Sequence, residues 1–158
     1  LDGTTATMTV YVPYALASLS VKTALGDVEI TDVSARTLTA QADTGELDVE
    51  RVTADNAELR VALGDMDIGS GVQITQSLTA ENACGDISLD LPASAPFTLS
   101  YTVETGSADL DEEIPTEWLR NVQRGGVGAS GTLQRGTGGA QYTVHVTLGD
   151  FELDRGID

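Results

Sequence analysis

The chain has 158 residues, of which 41% are hydrophobic, so it is long enough and apolar enough to form a domain with a core. Its formal net charge is −17, from 8 basic and 25 acidic side chains. This acidity disfavours nucleic acids and anionic membrane surfaces as partners, and it attracts cations and basic partners. No apolar run is long enough for a transmembrane segment, no signal peptide is visible, and a lone cysteine cannot form an intrachain disulfide.

The first predicted element is a strand at residues 7–12, where Met8, Val10 and Val12 alternate with polar or aromatic residues. Pro13 ends this strand, because proline cannot donate a hydrogen bond to a central ladder. The residues before it are predicted to be a loose tail.

A short repeated unit follows, built on a glycine and usually an acidic residue, Gly26-Asp27 in its first copy. Residues seven and five positions before each glycine, and two and four positions after it, are almost all apolar, whereas the residues between them are mostly polar. This alternation predicts a strand, a glycine corner and a second strand in every unit. The glycines of the six copies are Gly26, Gly45, Gly64, Gly85, Gly106 and Gly149.

A period of about 20 residues with one pattern in every copy is typical of stacked coils, because a single coil cannot bury its own apolar face. We therefore predict an all-β fold, a single-stranded parallel β-helix (β-solenoid) of about six to seven coils. A series of β-hairpins is the alternative, but the equal spacing favours coils. Val33 and Val52, seven positions after their glycines, suggest a triangular or flattened cross-section.

The domain organisation predicted is one β-solenoid domain over residues 1–158. Regular coils are expected at 7–110 and a last coil at 142–154. Residues 111–141, between them, break the pattern and are expected to be an irregular insertion or lid. No cap is predicted after the last coil, so we expect a bare strand edge that can pair with another copy.

Within the interrupted segment, Pro115 and the residues after it predict one helical turn. The high glycine content from Gly125 onward predicts a loop. We expect Trp118 and its neighbours to cover apolar surface on the side or end of the solenoid. A loop that contacts a ligand is the alternative.

Acidic residues recur one and three positions after the glycines, and stacking would align them in two ladders on one outward face. Adjacent carboxylates about 5 Å apart in water repel each other by somewhat less than about 1 kcal/mol, so a solvated face explains the ladders. The weak candidates for a metal site are Asp48, Asp65, Asp67 and Asp86, with calcium as the ion. Calcium takes six to eight oxygens, and a flat ladder supplies fewer. Otherwise no metal, catalytic or cofactor-binding residue is predicted.

Other reactive residue types give no catalytic pattern. His145 falls in an outward column with Lys22 and Arg60, which indicates a surface position, and Cys84 is expected to pack as a small hydrophobic residue. The glycines around Gly125 lack the lysine and the preceding strand of a phosphate loop. Glycoside hydrolysis needs one acid in an apolar cleft, but no carboxylate is singled out here.

The unit formed by residues 19–30 resembles the repeated unit of a bacterial putative-adhesin family of unknown function, which is related to autotransporter head-like domains. Val12-Pro13 is similar to the start of the family pattern, and the glycine-rich stretch 125–139 before Gly149-Asp150 is similar to its end. The resemblance covers about residues 7–154. It implies a right-handed parallel β-helix outside the cytoplasm or at the envelope, without an established enzymatic activity.

We therefore expect a non-enzymatic cell-surface or envelope module whose acidic face serves adhesion or binds a partner, either a protein or a glycan. One alternative is a structural module that self-associates through its coil ends into a homo-oligomer. A less favoured alternative is a carbohydrate-active β-helix enzyme. A signal peptide or anchor is expected to lie upstream, outside this chain.

Overall fold

The computed structural model describes residues 15–69, 71–91, 95–125 and 127–154, so the strand predicted at 7–12 lies outside the described residues. The described part is all-β apart from one 3-10 turn at Thr116–Trp118. Its strands are β1 (Leu16–Leu25), β2 (Val28–Thr31), β3 (Ser34–Thr44), β4 (Leu47–Glu50), β5 (Thr53–Leu63), β6 (Met66–Ile68), β7 (Gln73–Cys84), β8 (Ile87–Asp90), β9 (Phe97–Thr105), β10 (Ala108–Leu110), β11 (Leu119–Gly125), β12 (Gly128–Arg135), β13 (Ala140–Leu148) and β14 (Phe151–Asp154).

The strands form two sheets, and each repeated unit contributes one strand to each sheet. Sheet A contains the long strands in the order β1-β3-β5-β7-β13-β9-β12-β11, and sheet B contains the short strands in the order β10-β14-β8-β6-β4-β2. Each repeated unit is one coil, with a long strand, a glycine corner and a short strand. Strands of neighbouring coils pair in parallel. Because two sheets enclose the core, the cross-section is flattened rather than triangular.

The registers between coils align the apolar columns expected from the sequence. Leu38 lies opposite Ala57, which lies opposite Leu78 in the next coil. In sheet B, Leu47 lies opposite Met66. All five side chains are buried, so these columns form the core between the sheets.

Close stacking at the corners explains the repeated glycine. The corner glycines have φ values between 130° and 145°, a region that side chains disfavour. A Cβ atom at Gly64 would also overlap the carbonyl oxygen of Gly45 in the preceding coil. At Gly26, in the first coil, the nearest atom to such a Cβ is Thr23 Oγ1 at 3.9 Å, so space is open there.

The last unit in the sequence is not the last in space. Strand β13 pairs with β7 on one side and β9 on the other, and β14 lies between β8 and β10. The prediction of a β-helix whose coils follow sequence order is therefore wrong after the fourth coil. In an inner position, β13 and β14 have a hydrogen-bonded neighbour along both edges, whereas at the end of the stack one edge of each strand would be unpaired. The hand of the coiling stays a prediction.

The segment 111–141, expected to be irregular, contains a hairpin. Strand β11 pairs antiparallel with β12, and β12 pairs antiparallel with β9. The expected loop and the expected bare coil end are thus replaced, in sheet A, by two added strands. Glycine has a packing role in this hairpin, because a Cβ atom at Gly131 would lie 2.7 Å from Tyr101 Oη, and one at Gly128 would overlap the carbonyl oxygen of Val103.

The segment also covers part of the core, as the sequence indicated. The predicted helical turn is the 3-10 turn that follows Pro115. Trp118 is half-buried, and its ring meets Phe97 edge-on with 5.9 Å between the centroids. The Arg135 guanidinium carbon lies 5.1 Å from the centroid of each of these two rings.

Candidate functional site

The outer face of sheet B, here called the acidic face, carries charges of one sign along its strands. None of its six strands contains a lysine, arginine or histidine. The inward residues of the same strands, such as Leu47 and Ile68, are buried, so the alternation of the strands directs their acidic residues outward. The acidic residues of these strands are Glu29, Asp48, Glu50, Asp67, Asp90, Asp109, Glu152 and Asp154.

The strand registers place these carboxylates beside one another. Glu29 lies opposite Asp48, which lies opposite Asp67. Asp90 lies opposite Asp154 in the inserted coil. Neighbouring strands are about 4.8 Å apart, so rows of negative charge run along the face. The row five positions after the glycines was not predicted from the sequence, although it is visible two positions further along each unit.

The residues directly after the corner glycines have a structural role that the sequence analysis did not foresee. Each aspartate here accepts a hydrogen bond, through one carboxylate oxygen, from the backbone N–H of the same position in the next coil. These bonds tie adjacent corners together, so this ladder is more than a solvated surface. They run from Glu46 N to Asp27 Oδ1 at 2.9 Å, from Asp86 N to Asp65 Oδ1 at 3.0 Å, from Asp150 N to Asp86 Oδ1 at 2.8 Å and from Ser107 N to Asp150 Oδ1 at 2.7 Å.

The four weak metal candidates, Asp48, Asp65, Asp67 and Asp86, line one shallow groove of about 270 Å³. Asp65 and Asp86 each already accept a backbone hydrogen bond through Oδ1. Within the described ranges, no group of three or more His, Cys, Asp or Glu residues is arranged to hold a metal ion. Calcium binding by these four residues therefore stays a prediction.

Partial burial, and after it the crowding of negative charge, raises the pKa of several carboxyl groups on the acidic face. Partial burial raises the pKa of Asp48, and the adjacent Asp67 carboxylate raises it further. Partial burial also raises the pKa of Asp67, and Glu50 and Asp154 add to this effect. The pKa of Asp90 is raised by partial burial and then by Asp154. A cation bound to the face would relieve this repulsion.

The remaining candidates from the sequence lie away from the acidic face. His145 is on the outer face of sheet A, where its Nε2 lies 2.8 Å from Glu104 Oε1. Cys84 is half-buried beside a glycine corner. Gly125 pairs with Gly128 at the tip of the β11–β12 hairpin. The structure thus gathers the acidic columns on one surface and separates them from the histidine.

No helix in the described ranges has the length and hydrophobicity needed to cross a bilayer.

Comparison with known proteins identifies the fold and the family. The sequence profile of the Toastrack DUF4097 family matches residues 15–154. A crystal structure from Clostridium sporogenes, described as a "putative cell adhesion protein", superposes with a TM-score of 0.61 at 9% sequence identity, covering 90% of this chain and 93% of that chain. No curated protein matches the sequence. At that identity the structural likeness shows the fold alone.

Proposed function

The chain belongs to the Toastrack DUF4097 family, and from this membership and the acidic face we propose a non-enzymatic module of the bacterial cell surface or envelope that binds a partner. The observation that carries the proposal is a surface of six strands whose own residues include aligned carboxylates and no basic side chain. Beside it, Arg51 forms an ion pair with Glu50, with Nη1 3.1 Å from Oε2. The description of the Clostridium sporogenes protein as a putative cell adhesion protein supports a location at the cell surface.

The chemistry of the acidic face favours a cationic partner. The sheet fixes the backbone positions of these residues, so their carboxylates recur at regular intervals along the face. A protein segment rich in lysine and arginine would match this array, whereas an acidic glycan would be repelled. Binding to such a face weakens with salt, since ions screen exposed charges.

The carboxylates that line the groove suit the binding of a partner better than the hydrolysis of a glycosidic bond. Asp48 and Asp67 belong to a repeated row on an open surface, and their raised pKa values share the same causes of burial and like charge. A glycosidase instead separates the roles of two acids by giving them different environments. Self-association through coil ends stays the alternative, because each sheet has an edge strand at either end of its described part, β1 and β11 in sheet A.

A synthetic peptide of ten lysines tests the proposal by isothermal titration calorimetry. The variant Asp48→Asn/Asp67→Asn/Glu152→Gln removes three charges from the acidic face. The matched control Asp43→Asn/Glu58→Gln/Glu81→Gln removes three charges from the long strands β3, β5 and β7 of sheet A. We expect the first variant to lose about tenfold in affinity and the control to lose less than about threefold, because nearby charges dominate at physiological salt. Equal losses would show that only net charge matters and would contradict the proposal.

A further inference from the structure

The large hydrophobic residues that are exposed in the described ranges all lie along one line of the molecule. They are Leu25, Leu63, Leu148 and Val127, with 79%, 53%, 52% and 75% of their surfaces exposed. The first three directly precede corner glycines. Residues at this position fall outside the region between the sheets, so they add little to the core.

Strand registers and hydrogen bonds make this line continuous. Leu25 pairs with Thr44, Thr44 with Leu63, and Leu63 with Cys84. Leu148 lies between Cys84 and Thr105 because its coil is inserted there. We call the line the corner ridge; from one end to the other it consists of Leu25, Thr44, Leu63, Cys84, Leu148, Thr105 and Val127.

Val127 completes the ridge although it belongs to the hairpin and not to a coil. Each corner glycine donates its N–H to the carbonyl of the ridge residue in the next coil, as Gly45 does to Leu63 at 3.0 Å. Gly106 donates in the same way to the carbonyl of Val127, at 2.8 Å. Val127 therefore takes the place that a further coil would occupy.

The aliphatic residues occupy every second place on the ridge. With neighbouring strands about 4.8 Å apart, Leu25, Leu63, Leu148 and Val127 lie about 9.6 Å from one another, and the ridge is about 29 Å long. The four aliphatic side chains thus form one interrupted apolar strip rather than lying scattered over the surface, where single exposed apolar residues need no explanation.

A fixed row of negative charge runs beside the ridge. The aspartates that follow the glycines include Asp27, Asp65, Asp86 and Asp150, and each accepts a backbone hydrogen bond through Oδ1. This bond uses one of the two carboxylate oxygens, and it holds the side chain in place. A partner that covers the ridge thus meets aliphatic groups on one side and carboxylates on the other.

We propose that the corner ridge binds a short segment of a partner protein that carries aliphatic side chains beside a row of lysine or arginine residues. This inference rests on the proposed function only in that both concern partner binding. The row of aspartates beside the ridge adjoins the acidic face, since Asp65 and Asp86 line the same groove as Asp67. The aliphatic residues of the ridge lie outside that face, so they can be changed without changing its carboxylates.

Two other occupants fit the ridge less well. A second copy of the chain would bury only about 300 Å² per partner along a ridge about 10 Å wide, against about 800 Å² in a stable complex. The net charge of −17 also opposes the approach of two copies. A membrane surface with anionic lipids would be repelled by the aspartate row.

Three synthetic peptides of 14 residues test the proposal by isothermal titration calorimetry. The first combines leucine with lysine, the second serine with lysine and the third leucine with glutamate. We expect the leucine–lysine peptide to bind about tenfold tighter than the serine–lysine peptide, and the leucine–glutamate peptide not to bind. In the ridge variant Leu25→Ser/Leu63→Ser/Leu148→Ser the advantage of leucine should disappear, while decalysine binding to the acidic face should be kept.

The acidic-face variant Asp48→Asn/Asp67→Asn/Glu152→Gln gives the reciprocal control, since it should keep the tenfold advantage of leucine. Thermal unfolding confirms that the ridge variant is folded, and the single change Leu63→Ser provides a milder version. The proposal is overturned if the ridge variant retains the advantage of leucine. It is also overturned if the wild-type chain self-associates in sedimentation experiments and the ridge variant does not. Binding to phosphatidylglycerol vesicles that the ridge variant abolishes would overturn it as well.

Discussion

At the scale of single residues, the corner shows two separate demands on the sequence. Glycine is required by its positive φ and by contact with the next coil, and the aspartate after it accepts a backbone N–H from that coil. The requirement for glycine at the corner could be predicted from backbone conformation alone. The second could not be deduced, because a repeated exposed aspartate also fits a solvated surface.

A comparison of Gly64→Ala with Gly26→Ala distinguishes the energetic cost of close coil stacking from that of backbone strain. Both positions have φ near +135°, so each substitution carries strain of roughly 1–3 kcal/mol. Only the Cβ at position 64 would meet the backbone of a neighbouring coil. We expect Gly64→Ala to lower the free energy of unfolding by at least about 2 kcal/mol more than Gly26→Ala, as measured by urea unfolding. Similar losses would show that the corners do not stack closely.

Asp65→Ala and Asp67→Ala distinguish the two acidic ladders. Asp65 accepts the Asp86 N–H at 3.0 Å, so its removal should cost about 1 kcal/mol of stability. Partial burial and then the like charges around it raise the pKa of Asp67, so its removal should leave stability unchanged or increase it. Chemical denaturation of both variants measures the difference. A marked loss for Asp67→Ala would instead indicate a bound cation on the acidic face.

At the scale of strands and coils, the repeated pattern of apolar residues predicted the register between neighbouring coils. It did not predict the order in which the coils stack. Columns of apolar residues predicted that Leu38 faces Ala57, because identical units stack best with their apolar positions aligned. The same columns are equally satisfied whichever coils are neighbours, so the place of β13 beside β7 could not be read from them. The glycines of β12 suggested a loop, although Gly128 and Gly131 are required by contact with β9.

The acidic face predicts an unusual dependence of stability on pH. The pKa values of Asp48, Asp67 and Asp90 are raised in the folded protein above the ordinary value of 3.8. The folded state therefore binds protons more readily, and stability increases as the pH falls from neutrality through these raised values. We expect Tm to increase over this interval, and the increase to be smaller in Asp48→Asn/Asp67→Asn/Asp90→Asn.

An opposite contribution limits this gain at lower pH. The hydrogen bond from Arg51, with Nε 2.7 Å from Asp32 Oδ1, lowers the pKa of Asp32. Its stabilising effect is present above 3.8 and is lost as the pH falls through the lowered value. If Tm instead stays constant or falls as the pH is lowered from 7 through the raised pKa values, the assignment of these values is contradicted.

At the scale of the whole molecule, the stacking order determines the pattern of the corner ridge. The corner ridge is continuous because Leu148 lies between Cys84 and Thr105. The rows on the acidic face depend less on this order, because Asp109 and Glu152 occupy equivalent positions in β10 and β14. If the coils stacked in sequence order, Thr105 would follow Cys84 directly and the regular alternation of aliphatic residues along the ridge would be lost.

Disulfide formation with the native Cys84 tests this order directly. Leu148→Cys places a second cysteine opposite Cys84 in the adjacent strand, within the Cα separation of about 4.4–6.8 Å that a disulfide requires. Thr105→Cys places it two strands away, about 9.6 Å from Cys84, which is too far. After mild oxidation, we expect mass spectrometry to find an intramolecular disulfide in Leu148→Cys and none in Thr105→Cys. A disulfide in Thr105→Cys alone would show that the coils stack in sequence order and would contradict the account of the corner ridge.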